Sequence, residues 1–197
     1  MKLLIGLGLA LAAGAFAGPI TYTLTGTGTG SLTVGSTVTP FTSQNYVLSV
    51  TTDTSLITFS SNVYFSPNLS NVQFSVSGVG SGTATSMDVF DNQLGLAGFQ
   101  DAITTNILGN TGAFSLTYQM TTALATSSGP AFGALNQPFS TSFGTVQFSS
   151  ISNSTFGAVL GSSTVPEPGT LVFSGLGLVG MVVVRKRHKS NNPNHNR

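Results

Sequence analysis

Apolar and hydroxyl side chains alternate with a period of two along much of the chain. Ile20, Tyr22 and Leu24, for example, are separated by threonines. Successive side chains of a β-strand point to opposite faces, so this period predicts strands with one face on a core and the other in water. The pattern predicts strands over residues 20–24, 32–34, 46–50, 55–59, 62–65, 72–76, 83–90, 114–120 and 146–148.

Segments rich in glycine, serine, proline and asparagine separate these strands. They lie at residues 26–30, 66–68, 78–82 and 127–130, where the residue types favour turns. The repeat Gly26-Thr27-Gly28-Thr29-Gly30 lacks the glycine spacing and the lysine of a nucleotide-binding loop, so we interpret it as a flexible hairpin tip. About eight to ten short strands of this kind predict an all-β fold, an antiparallel β-sandwich of the jelly-roll type.

Residues 1–17 have the features of a secretory signal peptide. Lys2 precedes an apolar run over residues 3–16, and Ala15 and Ala17 are the small residues expected at a cleavage site. We therefore expect cleavage after Ala17, which leaves an exported domain over residues 18–164. The alternative is a permanent N-terminal anchor, for which the run is shorter than the required length of about 20 residues.

The C-terminal region has three parts in a fixed order. The tripeptide Pro166-Glu167-Pro168 is followed by an uncharged apolar run over residues 171–184 and then by basic residues. As a helix the run covers about 21 Å of a hydrocarbon core of about 30 Å, which predicts a short transmembrane helix that acts as a transient anchor. A buried core helix is the alternative.

The basic cluster predicts a cytoplasmic C-terminus and an external body, and it also suits anionic lipid headgroups. This cluster consists of Arg185, Lys186, Arg187 and Lys189.

This order resembles the PEP-CTERM sorting signal of bacterial surface and matrix proteins that an exosortase processes. The resemblance covers residues 165–189, and the tail over residues 190–197, which we expect to be disordered, is longer than the usual basic end. It implies export, an inner-membrane precursor, recognition of Pro166, Glu167 and Pro168, and cleavage near Pro166 by an exosortase. It also implies delivery to the cell surface or the extracellular matrix, but nothing about the activity of the body.

The charged residues of the chain are distributed very unevenly. Residues 18–164 contain no Lys, Arg, His, Glu or Cys, and four aspartates give them a net charge of −4. Without cations this body cannot neutralise phosphates, which excludes nucleic acid as a partner. Without His, Cys or Lys it has no Ser-His-Asp triad, no Schiff-base lysine and no thiolate or imidazole for zinc. We therefore expect a non-enzymatic protein without a cofactor. A hydrolase that uses Asp88 and Asp91 is the catalytic alternative.

Three of the four aspartates lie between residues 87 and 101, in the segment with the weakest strand pattern. We assign no metal ion to this segment, because its spacing matches no calcium loop and Asp equally favours turns. If calcium binds, the ligands to test are Asp88, Asp91, Asn92 and Asp101.

Serine and threonine make up 50 of the 147 residues of the predicted body. Such weakly charged, hydroxyl-rich strands suit a structural or interaction domain, and sheet edges without charged side chains favour self-association. The alternative is a surface module that binds extracellular polysaccharide, with or without calcium. Aromatic platforms for sugar rings are scarce, because the chain has four tyrosines and no tryptophan.

Overall fold

A computed structural model describes residues 17–84, 86–102, 106–112, 118–133 and 135–162. Within these ranges the chain forms strands and one 3-10 turn, Thr54–Leu56. The strands in chain order are β1 (Pro19–Val34), β2 (Thr37–Asp53), β3 (Thr58–Ser60), β4 (Val63–Leu69), β5 (Val72–Val76), β6 (Gly80–Ala84), β7 (Met87–Asn92), β8 (Leu96–Asp101), β9 (Ile107–Asn110), β10 (Leu124–Gly129), β11 (Ala131–Gly133), β12 (Pro138–Thr141) and β13 (Gly144–Leu160).

The strands form two antiparallel sheets. The first has the order β1-β2-β5-β6-β12-β13-β10, and the second has the order β11-β9-β8-β7-β4-β3. Strands that follow one another in the chain pair directly at β1–β2, β3–β4, β5–β6, β7–β8, β8–β9 and β12–β13. Six strands of the first sheet, β1 to β13 in the order above, also close into a cycle, because β13 pairs with β1 as well as with β12.

The first and last strands of the described body, β1 and β13, lie side by side in the first sheet. Leu24 on β1 is opposite Leu48 on β2 and Phe156 on β13. The ladder between β1 and β13 shifts register twice, and each shift places one extra residue on β13. Such bulges bend a strand and redirect its side chains, and one of them lies at the groove described below.

Both sheets contribute side chains to one hydrophobic core. Phe148 is at its aromatic centre, with ring centroids 5.7 Å from Phe41, 5.1 Å from Tyr46 and 6.4 Å from Phe74. The second sheet adds apolar side chains from β7, β8 and β9. The largest fully buried side chains are Tyr22, Tyr46, Phe74, Phe99, Phe139, Phe148, Phe156, Ile20, Leu24, Leu48, Met87 and Leu108.

The glycine-threonine repeat at residues 26–30 is not a hairpin tip. It lies in the middle of β1, which continues without a break to Val34, so that prediction is wrong. The core-facing side of the strand carries Gly26 and Gly28, and the aromatic rings of Tyr46 and Phe148 occupy the space where their Cβ atoms would be. Glycine within a strand marks such a close approach of another group to the backbone.

The all-β prediction is confirmed, and the two antiparallel sheets around one core are consistent with a sandwich. The strands predicted over residues 20–24, 46–50, 72–76 and 146–148 lie in β1, β2, β5 and β13. The predicted turn at residues 127–130 is wrong, because β10 extends to Gly129 and pairs there with Ser154 on β13. A bulge in β4, between Ser66 and Leu69, replaces the turn predicted at residues 66–68.

The terminal predictions lie outside the described residues, apart from Ala17 at the end of the expected signal peptide. This applies to Ala15, the Pro-Glu-Pro motif, the apolar run, the basic cluster and the tail. Within the described part of the chain, no helix has the length and hydropathy needed to cross a membrane. The domain boundaries at residues 17, 164 and 189 therefore remain predictions.

Candidate functional site

The acidic segment between residues 87 and 101, whose strand pattern is the weakest in the sequence, forms a pair of strands. Met87–Asn92 forms β7 and Leu96–Asp101 forms β8, and the two are joined by a tight turn. The side chain of Asn92 stabilises this turn by accepting a hydrogen bond from the Leu94 amide at 2.7 Å. Met87 and Val89 point into the core, which leaves the alternate positions on the opposite face of the sheet.

The four calcium candidates are not brought together by this arrangement. Asp91 lies on the core face with Met87 and Val89, whereas Asp88 and Asn92 lie on the other face. Asp101 is opposite Met87, which is four residues from Asp91 and thus about 13 Å along the strand. Asp88 accepts a hydrogen bond from the Asn68 amide at 2.8 Å, where the register of β4 against β7 shifts. Among the described residues, no group of three or more acidic, histidine or cysteine side chains is placed to hold a metal ion.

Asp91 is the most unusual of these residues, because its carboxylate lies inside the domain. The residue is 1% exposed, and neither carboxylate oxygen has a hydrogen-bond partner among the residues that the structure describes. It lies between Tyr64 on β4 and Ala97 on β8 in the sheet. Burial raises the pKa of Asp91 from 3.8 to about 7, since the charged form loses its hydration.

Tyr118 is the ionisable neighbour of Asp91 in the core. Burial raises the pKa of Tyr118, and the negative charge of Asp91 raises it further. The Tyr118 hydroxyl nevertheless donates its hydrogen bond to the Thr122 carbonyl at 2.9 Å, and the neighbouring Tyr22 hydroxyl donates to the Met120 carbonyl. Both buried hydroxyls therefore donate to backbone carbonyls of the segment before β10, and neither of them donates to Asp91.

A groove of about 660 Å³ opens where the two sheets meet at β10, β11 and β13. The exposed side chains of Ser128, Ser152 and Asn153 supply its polar groups, while Pro130 and Ile151 supply apolar surface. The described residues that line it are Ser128, Gly129, Pro130, Ala131, Ile151, Ser152, Asn153, Ser154 and Thr155. None of these side chains is charged, so the groove can recognise a ligand only through hydrogen bonds and apolar contact.

A bulge in β13 shapes one wall of this groove. Thr25 is opposite Thr155, but Thr27 is opposite Ser152, so β13 has one extra residue between these pairs. Asn153 lies there with a positive φ of 41°, a conformation that asparagine tolerates better than most residues. As a result Asn153 is exposed to the groove while the next residue, Ser154, points into the core.

The floor of the groove is held by a buried polar network that joins the two sheets. Asn110 on β9 donates from Nδ2 to the Ser154 carbonyl at 2.5 Å and to Ser154 Oγ at 2.8 Å. Ser154 Oγ in turn donates to the Gly109 carbonyl at 3.2 Å, and Asn110 Oδ1 accepts from the Gly112 amide at 2.6 Å. Every polar atom of the two side chains is thus used, which fixes β13 against β9.

This groove was not predicted from the sequence. Its residues lie in the segment 127–130, which the composition assigned to a turn, and in the second half of β13, which the alternation did not extend beyond residue 148. The sequence signal that was present is the interruption of the period-two pattern at residues 149–154, since a bulge shifts the apolar face by one position.

Comparison with known proteins identifies only the C-terminal region of the chain. Residues 164–187 match a family model described as the PEP-CTERM protein-sorting motif, which confirms the predicted resemblance. The match includes Pro166, Glu167, Pro168 and the basic residues 185–187, and it ends before Lys189. No curated protein and no solved structure matches the chain. The chain therefore carries a PEP-CTERM protein-sorting motif, which marks an exported protein that an exosortase processes at a membrane.

Proposed function

We propose that the protein is a non-enzymatic β-domain that is exported, held briefly in the inner membrane and released by exosortase to the cell surface or the extracellular matrix. The observation that carries this proposal is the match of residues 164–187 to the sorting motif. In the precursor the basic cluster keeps the C-terminus in the cytoplasm and the body outside. Pro166, Glu167 and Pro168 are then the recognition residues, and the apolar run over residues 171–184 is the transient anchor.

The composition of the body supports a structural or interaction role. Residues 18–164 have no Lys, Arg, His or Cys, so they lack the usual nucleophile–base pairs. Asp88 and Asp91 are on opposite faces of β7, which argues against a two-carboxylate hydrolase. What the body offers a partner is an uncharged, hydroxyl-rich surface.

The sorting proposal is tested by replacing Pro166, Glu167 and Pro168 with alanine in a host that has exosortase. We expect the variant to be exported but to remain uncleaved in the membrane fraction. The matched control is Pro193→Ala, which removes a proline outside the matched residues and should leave processing unchanged. Release of the triple variant at the same size as the wild type would contradict the proposal.

The groove favours a second candidate function, the binding of a neutral polysaccharide. Sugar hydroxyls pair with side chains such as those of Ser128, Ser152 and Asn153, and Pro130 and Ile151 offer apolar surface for the C–H face of a sugar ring. The absence of charge in the groove matches a neutral ligand. None of the described residues that line it is aromatic, so these residues would hold each sugar without stacking and the affinity would depend on several contacts along a chain.

An array of neutral oligosaccharides separates this candidate from a purely structural role. We expect the full-length chain in a non-ionic detergent to bind at least one glycan, and Ser152→Ala to weaken that binding. Ser150→Ala is the matched control, because Ser150 is equally exposed on β13 but does not line the groove. An empty array, or equal loss in both variants, would leave the structural role as the better account.

A further inference from the structure

The buried carboxylate of Asp91 has no cationic partner within its own domain. Residues 18–164 contain no Lys, Arg or His, so no cation of the body can pair with it. Neither oxygen accepts a hydrogen bond from the residues that the structure describes, and Asp91 is 1% exposed. An isolated ionised carboxylate in such a site is very costly, and a protein avoids that cost by keeping the group neutral.

Among the described residues, the titratable side chains on the elements around Asp91 are tyrosines, and none of them is a cation. Tyr64 lies opposite on β4 and Ala97 opposite on β8. The charge of Asp91 acts on Tyr118, and Tyr118 in turn acts on Tyr22 on β1, but both hydroxyls donate to backbone carbonyls. The two other carboxylates of this segment do not share its site: Asp88 is on the opposite face of β7, and Asp101 is about 13 Å away along the sheet.

We propose that Asp91 is protonated in the folded domain at mildly acidic pH, and that its ionisation loosens the core around β7, so that the domain is most stable in acid and weakens as the pH rises through neutrality. This property is independent of the sorting motif and of the groove. It makes the exported domain responsive to the pH of its surroundings through a single side chain in its core.

The direction of the effect follows from the proton affinities of the two states. In the unfolded chain the pKa of Asp91 is near 3.8, and burial raises it to about 7 in the folded domain. Between these values the folded state binds the proton more tightly, so each increase in pH favours unfolding. The stabilisation that the protonated carboxyl gives is complete below about pH 4 and is lost by about pH 8. Over this range the unfolding equilibrium constant rises roughly a thousand-fold.

The test is urea unfolding of the full-length chain in a non-ionic detergent at pH 5 and pH 8, followed by circular dichroism. We expect the wild-type midpoint to fall at pH 8 and the Asp91→Asn midpoint to stay the same at both values. Asp88→Asn is the control, because Asp88 is three residues away on the opposite face and should retain the wild-type pH dependence. His188 and His195 are common to all three proteins and cancel in the comparison. A wild-type midpoint that does not change, or an equal fall in Asp91→Asn, would overturn the proposal.

A second measurement needs no substitution. The chain has only four aspartates, so ¹³C-labelled aspartate gives four side-chain carboxyl resonances by NMR. We expect one of them to titrate near neutral pH in the folded protein and to revert to an ordinary titration when the chain is unfolded in urea. If all four resonances of the folded protein titrate below pH 5, Asp91 is ionised in the core and the proposal is wrong.

Discussion

Replacing Gly28 by alanine should destabilise the domain by a measurable and assignable amount. The new Cβ would lie 2.5 Å from Cδ1 and 2.6 Å from Cε1 of Phe148. Carbon atoms in contact normally stay about 3.5–4.0 Å apart, so the ring has to move by roughly 1 Å. It cannot move freely, because Phe148 is completely buried and contacts the rings of Phe41, Tyr46 and Phe74.

The expected magnitude is the balance of two terms. Overpacking of this kind costs about 1–3 kcal/mol. Replacing glycine by alanine also reduces the conformational freedom of the unfolded chain, which stabilises the folded state by about 0.4–1 kcal/mol. The difference between the midpoints of these two ranges is about 1.3 kcal/mol of net destabilisation. At about 2–4 °C per kcal/mol for a domain of this size, the melting temperature should fall by roughly 3–5 °C.

Thermal and urea unfolding of the full-length chain, followed by circular dichroism, measure this effect. Thr27→Ala is the control on the outer face, where the side chain loses only an exposed hydrogen bond to Asn45, and we expect a change within about 0.5 kcal/mol. Gly28→Ala combined with Phe148→Leu should cost less than the sum of the single changes, because the smaller side chain gives the methyl group room. Wild-type stability for Gly28→Ala, or strict additivity in the double variant, would refute the packing argument.

Three further substitutions test the buried polar groups. Asn110→Ala should lower the unfolding free energy by about 2 kcal/mol, because it removes the bonds to Ser154 that join the sheets; an unchanged urea midpoint would contradict this role. Tyr22→Phe should cost about 1 kcal/mol by leaving the Met120 carbonyl without its donor, and the same urea assay measures it. Tyr46→Phe should cost nothing at neutral pH, because its hydroxyl has no hydrogen-bond partner among the described residues. Burial raises the pKa of Tyr46 to about 12, so the wild type loses stability as the pH rises from about 10 to 12, and Tyr46→Phe should resist alkaline unfolding better; equal alkaline midpoints would argue against this assignment.

The period-two pattern predicted the fold class because most strands have one wet and one dry face. Tyr46, Leu48 and Val50 alternate in the sequence and are all buried in β2. The alternation did not reveal the strand at residues 26–30, and the reason is physical. The glycines there face the core but have no side chain that would count as apolar, and a segment rich in glycine also resembles a turn. Only the positions of Tyr46 and Phe148 reveal why glycine is needed.

The candidate sites depend on contacts that are distant in the chain, so the sequence could not supply them. Asn110 and Ser154 are 44 residues apart, and neither stands out from the many polar residues of the body. The sequence placed Asp91 in an acidic segment. It did not predict that Asp91 is buried, because the strand that carries it, β7, has too few apolar residues to indicate a buried strand. The sorting motif was recognised from the sequence, because its meaning lies in the local order of residue types.

The intact mass of the exported protein, from a host that has exosortase, tests the central claim most directly. The account predicts a mature chain that begins at Gly18 and ends near Pro166, with the apolar run and the basic cluster removed. A mass that extends to Arg197 would contradict it, because the C-terminal segment would then be a lasting anchor and the β-domain a membrane-tethered protein.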